Sequence, residues 1–122
     1  IEQGDYDSSI TKSRTLLEET FIYVIEKKNE LPSERGDIGK LYKHVKTLYN
    51  MHPDANTDKR IKTLFSGLNS IVSAIAEIRN NNGDAHGIGN ERKTIEDYHA
   101  RLVVNSAVAM SDFILSVQLK NT

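Results

Sequence analysis

At 122 residues the chain suits one domain and is too short for two independent cores; 38% hydrophobic and 27% charged residues mark it as globular rather than disordered. Only 7 Gly and 2 Pro punctuate it, too few turn signals for a many-stranded β-sandwich. A net charge of −1 excludes a whole-surface basic field for gripping nucleic acid, and the absence of cysteine excludes disulfides, thiol catalysis and cysteine-ligated zinc or iron–sulfur centres.

The first predicted helix covers about residues 4–29, where Tyr6, Ile10, Leu17, Phe21, Val24 and Ile25 follow a 3.6-residue period and form one apolar stripe. Leu31, Pro32 and Gly36 then stop it. A second helix is predicted over about 37–50, with Asp37 as N-cap and Ile38, Leu41, Tyr42, Val45, Leu48 and Tyr49 on its buried face. Lys40, Lys43, His44 and Lys46 fall largely on the other side. Residues 40–62 carry Lys40, Lys43, Lys46, Lys59, Arg60 and Lys62 against Asp54 and Asp58, while residues 1–34 lean acidic. A solvated helix face is the favoured reading of those cations, and a local basic face is the alternative.

The third helix is predicted over about 57–80, capped by Thr57 or Asp58. Its stripe of Ile61, Leu64, Phe65, Leu68, Ile71, Val72, Ile75 and Ile78 is the most regular in the chain, so this helix is expected at the centre of the fold. Residues 81–93 then read as a glycine- and asparagine-rich loop. The fourth helix is predicted over about 94–120, opened by a capping-box-like Thr94-Ile95-Glu96-Asp97. Ile95, Leu102, Val103, Ala107, Met110, Phe113, Ile114 and Val117 bury it, and small residues such as Ser106 and Ala109 allow close helix approach. The expected fold is all-α, an antiparallel bundle of four main helices. No stretch reads as long and apolar enough to span a bilayer, and no signal peptide is evident, so a cytoplasmic protein without membrane association is expected. The start at Ile1 rather than Met is taken to mean the C-terminal part of a longer protein.

Chemistry concentrates in residues 79–87, Arg-Asn-Asn-Asn-Gly-Asp-Ala-His-Gly. Six residues separate Arg79 from His86, and Gly83 and Gly87 would let the connection turn back. A histidine exchanges protons near neutral pH, so His86 could take a proton from a ribose 2′-hydroxyl or give one to a leaving oxygen. The Arg79 guanidinium offers a fixed fork of donors to phosphate oxygens. Asn80 could orient either group. Spacing alone does not choose this pair, because Arg92 and His99 are also six residues apart. Position does: Arg79 ends an apolar helix and His86 lies among glycines.

The stretch Ile75-Ala-Glu-Ile-Arg-Asn-Asn-Asn-Gly-Asp-Ala-His-Gly resembles the signature of the abortive infection C-terminal (Abi-C) family of the HEPN superfamily. Gly4-Asp-Tyr-Asp-Ser-Ser-Ile followed by Arg14-Thr-Leu-Leu-Glu resembles the family's first helix, and His99-Ala-Arg-Leu-Val-Val-Asn-Ser-Ala its last. The resemblance implies a HEPN-like helical bundle, often a homodimer, with the arginine–histidine motif at or near the dimer cleft. Many such domains are metal-independent endoribonucleases of toxin–antitoxin and anti-phage systems, and others are interaction modules. Carried onto this chain, it implies Arg79, Asn80 and His86 as catalytic residues. If the domain cuts RNA, Lys40, Lys43 and Lys46 are candidates for holding the backbone, and His99 and Arg101, early on the fourth helix, are candidates for facing the same cleft. No cofactor and no metal are implied. An antitoxin or an N-terminal regulatory domain is a further expected partner.

Each residue also has a plainer reading. Arg79 could cap helix carbonyls, Asn80 could be a C-cap, His86 could simply be exposed, and Asp84 reads best as a turn residue. For His99 and Arg101, surface or intrabundle hydrogen bonding is favoured. Glu18 reads as solvated, His44 and His52 show no metal-ligand spacing, and the tyrosines read as core packing rather than base stacking. The leading expectation is an endoribonuclease; the alternatives are a dimerisation or nucleotide- or partner-binding module, and a purely structural polar loop.

Overall fold

The computed structural model describes residues 6–32, 34–84 and 95–121, with side chains described up to Ile78 in the middle segment. These form four helices and no strand: α1 (Tyr6–Glu26), α2 (Ile38–Leu48), α3 (Lys59–Asp84) and α4 (Asp97–Lys120). An all-α bundle of four main helices is thus the observed fold.

Helix α1 organises the core. Ile10, Leu17, Phe21, Val24 and Ile25 recur at helical spacing, and all are at most 1% exposed. The polar residues on the same stripe are satisfied locally. Ser13 Oγ donates to the Ser9 carbonyl at 2.9 Å, and Thr20 Oγ1 lies 2.8 Å from the Leu16 carbonyl. Thr20 Oγ1 also shares a 3.2 Å hydrogen bond with Ser111 Oγ of α4, in the middle of the α1–α4 seam. On α4, Ala100, Val103, Ala107, Met110 and Ile114 are buried. The small side chains of Ala100 and Ala107 leave room for close helix approach.

The expectation that α3 is central is overturned. Within its described side chains only Val72 and Ile75 are buried, while Leu64 is 56% exposed. Packing between α3 and α4 is the lightest among the helix pairs that pack substantially, and α1 packs most heavily against α4. Periodicity marks which residues share a face; it does not tell whether another element covers that face. The expectation that no stretch is long and apolar enough to cross a bilayer is also corrected, since both α3 over Lys59–Ile78 and α4 meet that test by length and composition. α4 buries one face in the core, as a bundle helix does.

Helix ends follow local chemistry. α1 stops at Glu26, before the proline, in a turn where Asn29 takes a left-handed conformation (φ 61°) and Glu30 N–H reaches the Ile25 carbonyl. Asp37 caps α2 as predicted, its Oδ1 accepting the Lys40 N–H at 3.1 Å. At the start of α3 Asp58, rather than Thr57, receives the Arg60 N–H at 2.7 Å. α4 starts at Asp97, so its cap is Glu96 and not Thr94. α3 runs on to Asp84, four residues past its predicted end. Asn and Gly cost up to about 1 kcal/mol each in a helix interior, which a long established helix can absorb.

The linker between α1 and α2 is tied back onto α1. Gly36, in a left-handed conformation (φ 93°), donates its N–H to Glu18 Oε2 at 2.6 Å, and its carbonyl accepts from the Arg14 guanidinium. Arg14 and Glu18, one helical turn apart, also pair at 3.9 Å. Glu18 is therefore part of a polar network rather than the solvated side chain expected from its position. Beside this tie, Tyr42 of α2 stacks on Phe21 (centroids 5.4 Å apart), and Tyr49 Oη donates to the Val24 carbonyl at 2.6 Å.

Two predictions follow from this packing. Glu18→Gln should lower stability by about 1 kcal/mol, a charge-assisted bond discounted for partial exposure; urea denaturation followed by circular dichroism measures it. Burial lifts the Tyr42 hydroxyl from its ordinary 10.0 to about 12. The folded state thus holds this proton more tightly than the unfolded state, so stability is intact below the unfolded pKa and is lost as pH rises through the window between them. Tyr42→Phe should shrink that alkaline loss, read as the shift in urea midpoint across this pH range. An unchanged alkaline profile would contradict the assignment.

Candidate functional site

Arg79 and Asn80 belong to the backbone of α3, which continues beyond them to Asp84. Neither ends the helix, so the reading of Asn80 as a C-cap is excluded. Asp84, the last residue of α3, is helical rather than part of a turn. His86 and Arg92 lie outside the described residues.

The register of α3 against α4 gives the level at which Arg79 leaves the bundle. Phe65 meets Phe113 at 6.3 Å between ring centroids, and Leu68 and Ile71 share a groove with Asn105, Ser106, Ala109 and Met110. Numbers rising along α3 meet numbers falling along α4, so the two helices run in opposite senses. Continued at about 1.5 Å per residue, this register brings the backbone at Arg79 level with the first turn of α4. Ile78, one residue before Arg79, and Ile95, just ahead of α4, both pack against the same core.

The first two turns of α4 hold His99 and Arg101, both exposed. His99 Nδ1 accepts the backbone N–H of Glu96 at 3.1 Å, supplying the reciprocal half of a capping box. An acceptor at Nδ1 fixes the tautomer with hydrogen on Nε2. The Tyr98 ring lies against the imidazole, 4.4 Å between centroids. His99 thus has a structural role, in line with the hydrogen-bonding reading, and one ring nitrogen remains uncommitted to it. The sequence signal was the three-residue spacing from Glu96, hidden because histidine is an unusual partner in such a cap.

The three lysines of α2 are not equivalent. Lys40 Nζ pairs with Glu34 Oε1 at 3.6 Å, both exposed. Lys46 Nζ lies 3.0 Å from Asn69 Oδ1 and 4.8 Å from the Tyr42 ring centroid, stitching α2 to α3. Burial, and then the neighbouring Lys43 charge, hold its pKa below the ordinary lysine value. Lys43 is exposed on the next turn. Because Lys46 meets α3 at Asn69, this cluster joins α3 about 15 Å along the axis before Arg79. On this register His99 and Arg101 fall near the level of the Arg79 backbone, and the lysines fall at a different one.

The other candidates sort as follows. His44 Nε2 lies 2.9 Å from Glu30 Oε1, and its Nδ1 is buried without a partner; His52 Nε2 lies 3.2 Å from Thr47 Oγ1. No group of three or more His, Asp or Glu side chains gathers at one point among the described residues. Tyr42 and Tyr49 are core residues, whereas Tyr23 and Tyr98 are exposed, so the core reading of the tyrosines holds for only part of the set.

A family model described as Abi_C, HEPN-like domain, matches residues 1–118. Comparisons with curated proteins and with solved structures each give no match.

The unequal lysines make a direct prediction. Lys46→Ala should cost about 1 kcal/mol through the lost ring contact and the bond to Asn69, whereas Lys43→Ala should stay within about 0.5 kcal/mol of the parent. Thermal denaturation of both variants checks this, and equal losses would contradict it.

Proposed function

Because the chain belongs to the Abi_C family of HEPN-like domains, and so is a defence-related HEPN module, we propose that it is an endoribonuclease that cuts RNA without a metal ion. The single observation carrying this reading is the family match itself, which runs through residues 79–87 and so takes in Arg79, Asn80 and His86. Two protomers would line one cleft.

The chemistry needs a base, an acid and a group that tolerates charge at phosphorus. A ribose 2′-hydroxyl loses its proton to a base, and its oxygen attacks the adjacent phosphorus. The bond from phosphorus to the 5′-oxygen breaks, and an acid returns a proton to that oxygen. The products are a 2′,3′-cyclic phosphate and a 5′-hydroxyl end. His86 is assigned to proton transfer, Arg79 to the phosphoryl oxygens as charge builds, and Asn80 to positioning. His99 through Nε2 and Arg101 would hold the strand beside them, and Lys40, Lys43 and Lys46 would attract the more distant backbone. Continuation of α3 past Arg79 supports this reading, since a group carried inside a helix starts from a rigid mount.

Arg79→Ala should reduce cleavage roughly a hundred- to a thousandfold, as loss of one oxyanion donor does elsewhere, and His86→Ala should reduce it comparably. The assay is single-turnover cleavage of single-stranded RNA in buffer containing EDTA, with 2′,3′-cyclic phosphate ends scored directly. Undiminished cleavage by either variant would defeat the assignment. A protein that binds RNA or a partner domain without cutting would mark it as a binding module.

A further inference from the structure

Lysines gather where α1 and α2 end together. Gly36 lies beside Glu18, Tyr42 on Phe21 and Tyr49 beside Val24, so residue numbers rise together along the two helices and their C-terminal ends meet. Lys28 Nζ sits 4.9 Å from the Tyr49 ring centroid, Lys46 Nζ 4.8 Å from that of Tyr42, and Lys27 Nζ 5.4 Å from that of Tyr23. Tyr23 and Tyr49 are neighbours in turn: burial, and then Tyr23, hold the Tyr49 hydroxyl above its ordinary pKa. Lys43 belongs to the same group, since beyond the effect of burial Lys46 feels its charge.

Counter-charges are placed elsewhere. The carboxylates that flank these lysines in sequence, Glu26, Glu30 and Glu34, pair with Arg35, His44 and Lys40. Among the described residues none of Lys27, Lys28, Lys43 and Lys46 has a carboxylate partner. The chain as a whole has a net charge of −1, so this corner is a local positive field against an acidic balance. The rings beneath the ammonium groups are fixed. Tyr42 is stacked on Phe21, Tyr49 is bonded to the Val24 carbonyl, and both are buried. A lysine already laid along a fixed ring has less freedom to lose when an anion arrives. Tyr23 differs: it is 46% exposed and leaves an aromatic surface open among the ammonium groups.

We infer that this corner of α1 and α2 is a ledge that holds single-stranded RNA, with Lys27, Lys28, Lys43 and Lys46 on its phosphates and Tyr23 stacked on a base. The inference rests on RNA as the ligand in the function proposed above, and not on the residues assigned to cutting. It adds Tyr23, Lys27 and Lys28, and it separates Lys43 and Lys46 from Lys40, whose ammonium is taken by Glu34. Positive charge around an open aromatic surface suits an unpaired strand, which offers phosphates and splayed bases together. A duplex keeps its bases stacked and would use the lysines alone, and an acidic protein would likewise leave the ring idle. Lys46 also meets α3 at Asn69, about 15 Å along the axis from Arg79, so a strand lying on the ledge can run beside α3 toward Arg79.

Fluorescence anisotropy across a salt series, with a labelled single-stranded RNA that is 2′-O-methylated so that no 2′-hydroxyl can attack, tests the inference. The double variant Lys27→Gln/Lys28→Gln should weaken binding about tenfold at low salt and flatten the slope of log affinity against log salt by about 0.7 for each charge removed. Tyr23→Ala should weaken binding about tenfold with the slope unchanged, and Tyr23→Phe should keep the parent's affinity, because the ring and not the hydroxyl is used. Lys12→Gln removes an exposed charge about 22 Å earlier along α1 and should leave affinity and slope at the parent's values. Circular dichroism verifies that each variant is folded. A parent that binds no RNA, a double lysine variant with the parent's affinity and slope, or a Lys12→Gln variant equally weakened would overturn the inference. So would an annealed duplex that binds as tightly as the single strand with no dependence on Tyr23. The two proposals fail separately: a chain that holds RNA on the ledge and never cuts it keeps the ledge and loses the nuclease, and one that cuts RNA while ignoring these substitutions does the reverse.

Discussion

Burial of one stripe of α1 is the constraint around which the other helices are arranged. Leu17, Phe21, Val24 and Ile25 are closed off from solvent, and no single neighbour could do that. α4 covers most of the stripe, α2 stacks Tyr42 on Phe21, and the α1–α2 linker is held down at Gly36 by Arg14 and Glu18. Each of those contacts joins parts of the chain far apart in sequence. α3 is attached more lightly, through Val72, Ile75 and the Lys46–Asn69 stitch. The helix that carries Arg79 is thus the one least committed to the core, with a face to spare for something else.

Much of this was legible in the sequence, and the reasons for the rest are specific. Four helices with their stripes could be read because 3.6-residue periodicity reports directly on side-chain direction. Asp37 was legible as a cap because its role depends only on the next three residues. Centrality was not, because the stripes of α1 and α3 look alike until covering partners are known; the stronger pattern turned out to be the less buried. The extension of α3 through Asn81, Asn82 and Gly83 ran against residue preference, which a preceding long helix outweighs. Glu18 gained its partner from Gly36, a contact between residues 18 positions apart with no local signature.

The candidate site divides along the same line. Arg79 and Asn80 were singled out by their place on the third helix and by family resemblance, and the family is shown over residues 1–118. The lysines were grouped by charge count, which is blind to geometry: Lys46 is engaged by Tyr42 and Asn69, and Lys40 by Glu34. His99 was considered for a ligand and serves a helix end, through the one nitrogen that the Glu96 N–H occupies.

The Thr20–Ser111 bond spans 91 residues of chain, and the whole α1–α4 seam joins the first quarter of these residues to the last. A core built from the two ends of a domain closes late. While the chain leaves the ribosome, α1 emerges first and its stripe stays uncovered until α4 follows, nearly a full domain length afterwards. Such contacts make loop closure costly and folding slow, and a nascent chain stopped short of α4 would present a bare apolar helix to chaperones and proteases. For a domain that we propose to be a ribonuclease, the same topology ties assembly of the bundle to synthesis of α4.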